Sequence, residues 1–146
     1  MMKQLLLSAL MLGMLTSIAE ARQASETSSN LIQQFLMAYN SQDTAYFDRT
    51  LANNAVILDE DGHTLTGKDL LMRILGARLS ATPAPRLVAS DITGSNAGEV
   101  AWGSLNYTFE QGDETRSGFM TLVFQGSGND WEIAHWQFSI HTMPED

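Results

Sequence analysis

Apolar residues recur three and four apart through the first half of the chain and follow a strand-like pattern through the second. Leu31, Ile32, Phe35, Leu36 and Tyr39 mark one stripe of a first helix. A Ser28-Ser29 cap candidate opens it, and Asn40-Ser41-Gln42 closes it. Asp43 can cap a second, short helix carrying Tyr46, Phe47, Thr50 and Leu51. Ala55 to Leu58 is a short apolar run closed by Asp59-Glu60-Asp61-Gly62, the pattern of a strand entering a turn, with Thr64-Leu65 pairing back. Thr66 followed by Asp69 is a capping-box pattern. It predicts a third helix with Leu70, Leu71, Ile74, Leu75 and Leu79 on its buried face.

Four stretches rich in β-formers follow, at 86–93, 100–109, 115–125 and 131–141. Glycine-bearing connections at 94–98, 111–113 and 126–130 separate them and predict hairpins, hence a largely antiparallel sheet. Helices first and strands after is an α+β order, with helices packed on one sheet face. Alternation sorts the last strand into two faces: Trp131, Ile133, His135, Gln137 and Ser139 on one, and Glu132, Ala134, Trp136, Phe138 and Ile140 on the other.

Composition narrows the setting. The N-terminus places Lys3 before an apolar run from Leu5 to Leu15, followed by Ala19-Glu20-Ala21. That is the layout of a secretory signal peptide at 1–21, and the apolar run is shorter than the roughly 20 residues a membrane span needs. Residues 22–29 are small and polar and read as a flexible tether, leaving one domain at 30–142. The expected location is therefore the periplasm or the exterior. Lys3 and Glu20 cancel, so removing the segment leaves the formal net charge of −9 unchanged. Such a surface argues against nucleic acid and against anionic membranes, which require clustered Lys and Arg. The chain has no cysteine, so disulfides do not hold the fold, and thiol chemistry is excluded.

The element order resembles the nuclear transport factor 2-like superfamily, and local residues agree. Asn40-Ser41-Gln42-Asp43 resembles its break between helices one and two. Asn53-Asn54-Ala55-Val56-Ile57-Leu58-Asp59 resembles its entry to the first strand, and Leu65-Thr66-Gly67-Lys68-Asp69 the start of its third helix. Residues 131–139 resemble the SnoaL-like closing pattern "W-x-I-x-H-x-H-x-S", with Gln137 in place of the second histidine. The resemblance covers roughly 28–141 and implies a cone: three N-terminal helices packed on a strongly curved, largely antiparallel sheet, with a cavity at the mouth. It also implies a homodimer through the convex sheet face. Relatives include ketosteroid isomerases, polyketide cyclases, dehydratases, epoxide hydrolases and non-catalytic association modules, so the fold alone does not fix the activity.

The resemblance places Asp59 where ketosteroid isomerases carry a general base. A carboxylate at a strand end facing an apolar cavity is desolvated, which raises its pKa into a useful range. The same tetrad is also ordinary turn chemistry without catalysis. Such an enzyme needs a donor for the developing oxyanion. The helix-one tyrosine of the isomerases corresponds to Phe35, which donates nothing, leaving Tyr39 and Tyr107 as candidates, or as core residues. By the same analogy the Trp136 face of the last strand and Ala101, Gly103, Leu105 and Tyr107 face inward. Phe35, Leu105, Trp136 and Phe138 would then line an apolar pocket suited to a small hydrophobic ligand, or fill a core. His135 falls on the convex side, as a structural histidine. No two histidines have ligand spacing, Asp59-x-Asp61-Gly62 lacks the later acid of a calcium loop, and no phosphate-cradling glycine loop occurs, so neither metal nor cofactor is expected. Three functions remain open: an exported ligand-binding module, a lyase or isomerase with Asp59 as base, and a structural dimer.

Overall fold

The computed structural model describes residues 26–140. The signal peptide expected at 1–21 lies outside them, as do residues 22–25 of the expected tether. The remainder of that tether is not a tether: residues 26–29 already belong to helix α1, which runs through 26–40. Ser28 is fully buried, and its Oγ donates to the Ser95 carbonyl instead of capping the helix. Small polar composition is weak grounds for a tether once tertiary contact holds the segment.

Helix α2 (Thr44–Thr50) follows with Asp43 as its cap, whose Oδ1 accepts the Tyr46 N–H at 3.0 Å. Leu51 is not its last turn, as its spacing suggests, but the first residue of strand β1 (Leu51–Leu58). Strand β2 (Thr64–Thr66) pairs back antiparallel on β1. Helix α3 (Lys68–Leu79) starts from Gly67, at φ 97°, with no side-chain cap bond. The capping box predicted from Thr66 and Asp69 does not form, because Thr66 is held in the β2 ladder opposite Val56. Leu71, Leu75 and Leu79 are buried as expected, whereas Leu70 and Ile74 are only half-buried.

Four long strands complete the chain: β3 (Arg86–Ala97), β4 (Val100–Gln111), β5 (Glu114–Ser127) and β6 (Asp130–Ile140). They form one six-stranded sheet in the order β2-β1-β6-β5-β4-β3. Every neighbouring pair is antiparallel except β1 with β6. The connections are shorter than their composition suggests. Strand β3 runs on to Ala97, and Gly98 at φ 56° opens a two-residue turn into β4. Register shifts interrupt β1/β6, β3/β4 and β5/β6. Bulges of this kind bend and twist strands, and the sheet curls around the helices.

Helix α1 crosses the concave face where glycines leave room. A Cβ built on Gly103 would overlap the Ile32 side chain and come within 2.6 Å of the Thr93 carbonyl, and one on Gly94 would come within 2.6 Å of Ser28 Cβ. At its far end Asn40 is bonded twice to the β3 backbone, its Nδ2 donating to the Leu87 carbonyl at 2.8 Å and its Oδ1 accepting the Leu87 N–H at 2.7 Å. The core gathers around Trp136, whose ring meets Phe35 edge-on at 4.5 Å and lies 4.9 Å from Phe138. No helix among the described residues is long and apolar enough to cross a membrane.

The β6 bulge revises the face assignment of the last strand. Val123 pairs with His135 but Phe124 with Ile133, so Ala134 has no partner of its own on β5. The phase therefore changes at that point. Ile133 is buried on the same side as Trp136 and Phe138, not on the opposite face that strict alternation gives it. Beyond the bulge the alternation holds, and His135 and Gln137 pair with Val123 and Thr121 on the outer face. Ile140, assigned inward, is 39% exposed at the strand end.

Candidate ligand-binding cavity

The β1–β2 turn, helix α3 and the ends of β5 and β6 enclose a cavity of about 300 Å³. Its apolar wall comes from Ile57, Leu65, Ile74, Leu75, Trp136 and Phe138. Its polar lining is Asp59, Glu60, Asp61, Arg78 and Arg116. Two of the four residues expected in a pocket, Trp136 and Phe138, are on this wall. Phe35 and Leu105 are instead packed in the core, at 0% and 3% exposure, and are not among the lining residues.

Asp59 borders the cavity, but its carboxylate is closed on its own turn. Oδ1 accepts the backbone N–H of Asp61 at 3.0 Å and of His63 at 2.8 Å, and Oδ2 lies 3.3 Å from His63 Nδ1. Partial burial works to raise its pKa. The His63 N–H, the His63 side chain and its charge, and the Asp61 N–H outweigh that and hold the carboxyl below its ordinary value. A carboxylate so stabilised is a weak proton acceptor. The position is legible in the sequence; the turn's demand on its oxygens is not.

Glu60, the next residue, turns inward, its side chain only 11% exposed. The Tyr107 hydroxyl donates to its Oε1 at 2.9 Å, and Arg116 Nη1 pairs with its Oε2. Arg116 also pairs through Nε with Glu114 at 2.9 Å and lies 4.6 Å over the Phe109 ring. Tyr107 is therefore already committed to Glu60. Burial, then the hydrogen bond and charge of Glu60, push its phenol far above the usual tyrosine value against the opposing Arg116 and Arg78. It serves as a neutral donor. Tyr39, on α1, is fully buried. Burial raises its pKa, while the charge and hydrogen bonding of Arg78 pull the other way. Its hydroxyl nonetheless finds no hydrogen-bond partner of normal geometry, and neither does Trp136 Nε1. The turn also brings ligand atoms of Asp59, Asp61 and His63 within 4.8 Å of one another at an exposed position, where Asp59 is already held by turn hydrogen bonds.

Glu60, Arg78 and Arg116 were not singled out by sequence reading, yet two carried a signal. Arg78 lies three, four and seven residues after Leu75, Ile74 and Leu71, and so continues the buried stripe of α3. Arg116 precedes Gly118, Met120, Leu122 and Phe124 at alternate positions, and so falls in phase with the inward face of β5. A charge in phase with a buried face marks a polar cavity. Glu60 is hidden by its acidic neighbours, all of which read as turn.

The profile of the SnoaL-like domain family matches residues 29–143. No curated protein matches the chain. Among solved structures, it resembles a nuclear transport factor 2-like protein of unknown function from Pseudomonas putida KT2440, with a TM-score of 0.71, 18% identity, and 88% of this chain and 91% of that one covered. An uncharacterised protein with a cystatin-like fold from Caulobacter vibrioides aligns at TM-score 0.66 and 15% identity over 78% and 87% of the two chains. A nuclear transport factor 2-like protein of Streptomyces avermitilis, provisionally named a dehydratase, aligns at TM-score 0.69 and 14% identity over 80% and 96%. At these identities the likeness concerns the fold.

Proposed function

The chain belongs to the SnoaL-like domain family, and from that premise we propose that it is an exported protein binding a small, largely apolar molecule in the cavity. The observation that carries this reading is the cavity itself, walled by Ile57, Leu65, Ile74, Leu75, Trp136 and Phe138 with a few convergent polar groups. That is the usual make-up of a small-molecule site. The experiment is native mass spectrometry of the purified protein, joined to thermal shift with a panel of small hydrophobic compounds. A co-purifying adduct, or a rise in Tm with one compound class, is the expected result. Repeatedly empty spectra with no stabilisation by any compound overturn the reading.

A lyase or isomerase reading retains one supporting observation, the place of Asp59 at the cavity edge. The Streptomyces relative's name points the same way. Two features oppose it: the turn hydrogen bonds that hold the Asp59 carboxylate, and the commitment of Tyr107 to Glu60. Binding without catalysis is therefore the better-supported function.

The same proposal includes a homodimer through the outer sheet face. Trp102 (42% exposed) and Phe119 (51%) are on that face of β4 and β5, with Val123 and His135 in register beside Trp102. Large apolar side chains exposed on one sheet face favour a protein contact.

A further inference from the structure

We propose that Asp59, Asp61 and His63 bind a divalent cation of the zinc type at the rim of the cavity. The β1–β2 turn brings one ligand atom of each residue within 4.8 Å of the others. Asp59 Oδ2 and His63 Nδ1 lie 3.3 Å apart. That is longer than the roughly 2.7–3.2 Å of an ordinary N–H···O bond. It matches the edge of a tetrahedron around zinc, where ligand atoms about 2.0–2.1 Å from the ion stand about 3.3–3.4 Å from each other. An ion between the two therefore displaces a weak contact and needs little rearrangement. Among the described residues the Asp61 carboxylate makes no hydrogen bond or ion pair, so it is free to complete the set. An imidazole with two carboxylates suits zinc and its neighbours, whereas calcium and magnesium take oxygen ligands. A single histidine has no spacing signature in the sequence; the turn assembles the set.

The turn holds the first ligand ready. The Asp59 N–H donates to the His63 carbonyl at 3.0 Å and the Gly62 N–H to the Asp59 carbonyl at 3.1 Å, which fixes the backbone between the ligands. Asp59 Oδ1 accepts two N–H groups, which orients the carboxylate and leaves Oδ2 for the ion. Metal-ligating carboxylates are oriented in the same way by outer hydrogen bonds. The two aspartates match the charge of the ion, because the acid between them, Glu60, is already paired with Arg116. Three protein ligands leave the fourth tetrahedral position open to exchange. Asp59 and Asp61 both line the cavity, so an ion held by them borders the space of its ligand. An oxygen or nitrogen donor on an otherwise apolar molecule would then reach the open position. The cation site itself stands apart from the ligand-binding reading, and either can fail without the other.

The test is isothermal titration of the metal-free, tag-free protein with zinc chloride, joined to cobalt(II) titration read by visible absorbance. One zinc ion per chain is expected to bind, and cobalt should give the intense visible bands of a tetrahedral ion. His63→Ala and Asp61→Asn should each weaken zinc by about 10-fold or more, and His63→Ala should abolish the cobalt bands. His135→Ala, on the outer sheet face, should leave both unchanged. His63 is 71% exposed and Asp61 is exposed, so these substitutions spare the core, and an unaltered circular dichroism spectrum verifies folding. Failure of zinc to bind overturns the proposal, as does zinc binding insensitive to His63→Ala and Asp61→Asn. Calcium binding as tight as zinc and indifferent to His63→Ala overturns the assigned ligand set. None of these results touches the cavity reading, which is judged by hydrophobic compounds in the absence of metal.

Discussion

Two adjacent acids, Asp59 and Glu60, are held in quite different ways. Asp59 stabilises the turn through two backbone N–H groups. Asp59→Ala should lower stability by about 1 kcal/mol, read as a lower urea midpoint. The folded-state pKa of Asp59 is depressed, so its contribution is present above the unfolded value of about 3.9 and is lost as pH falls through the folded value. The difference between wild type and Asp59→Ala should therefore shrink under acid. Glu60 is satisfied by a phenol and a guanidinium. Tyr107→Phe should cost about 1 kcal/mol. Arg116→Met should cost about 1–2 kcal/mol, below the fully buried case because the arginine is 33% exposed. Tyr39, Tyr46 and Tyr107 all have raised pKa values, led by burial. Their neutral forms stabilise the fold below the unfolded value of about 10, and that contribution is lost as pH rises through the folded values. Near-UV absorbance should show phenol ionisation delayed beyond pH 10 until the protein unfolds.

Among the elements, α1 and β6 decide the interior. Helix α1 sits where it does because Gly94 and Gly103 let Ser28 and Ile32 approach the sheet backbone, and because Asn40 fastens its far end to Leu87. Gly103→Val should displace the helix and cost about 1–3 kcal/mol or more, the range for overpacking, measured by urea unfolding. Asn40→Ala removes both bonds to β3 and should cost about 1–2 kcal/mol in the same measurement. The bulge at Ala134 lets Ile133, Trp136 and Phe138 share the inner side of one strand. Without that extra residue, either Ile133 or the aromatic pair would face outward, since a one-residue slip exchanges the two faces.

For the whole molecule, the proposed assembly and export have direct tests. A homodimer through the outer face should sediment at twice the monomer mass, and Trp102→Glu with Phe119→Glu should shift it to monomer. A monomeric wild type would remove that proposal. Mass analysis of the protein from an exported fraction should find Arg22 as the first residue. Retention of Met1 in that fraction would remove the signal assignment.

Local periodicity was enough for the α+β order and the long antiparallel strands, because each depends on spacing repeated over many residues, whereas the family was legible only through the resemblance of particular motifs, such as 65–69 and 131–139. Positions that hold one element against another were not legible. Ser28 reads as a cap and is a buried contact, Thr66 reads as a cap and is a ladder residue, and Ile133 reads as outward until the bulge turns it in. The cavity follows the same division. Asp59, Tyr39, Tyr107, Trp136 and Phe138 can be nominated from sequence, and alternation or stripe phase points to Arg78 and Arg116. Only the tertiary structure decides that Asp59 is held by its turn, that Glu60 is the inward acid, and that Arg78 lines the cavity. The reason is physical: a side chain's type is local, but whether its charge or hydrogen bond is already satisfied depends on groups brought near from distant parts of the chain.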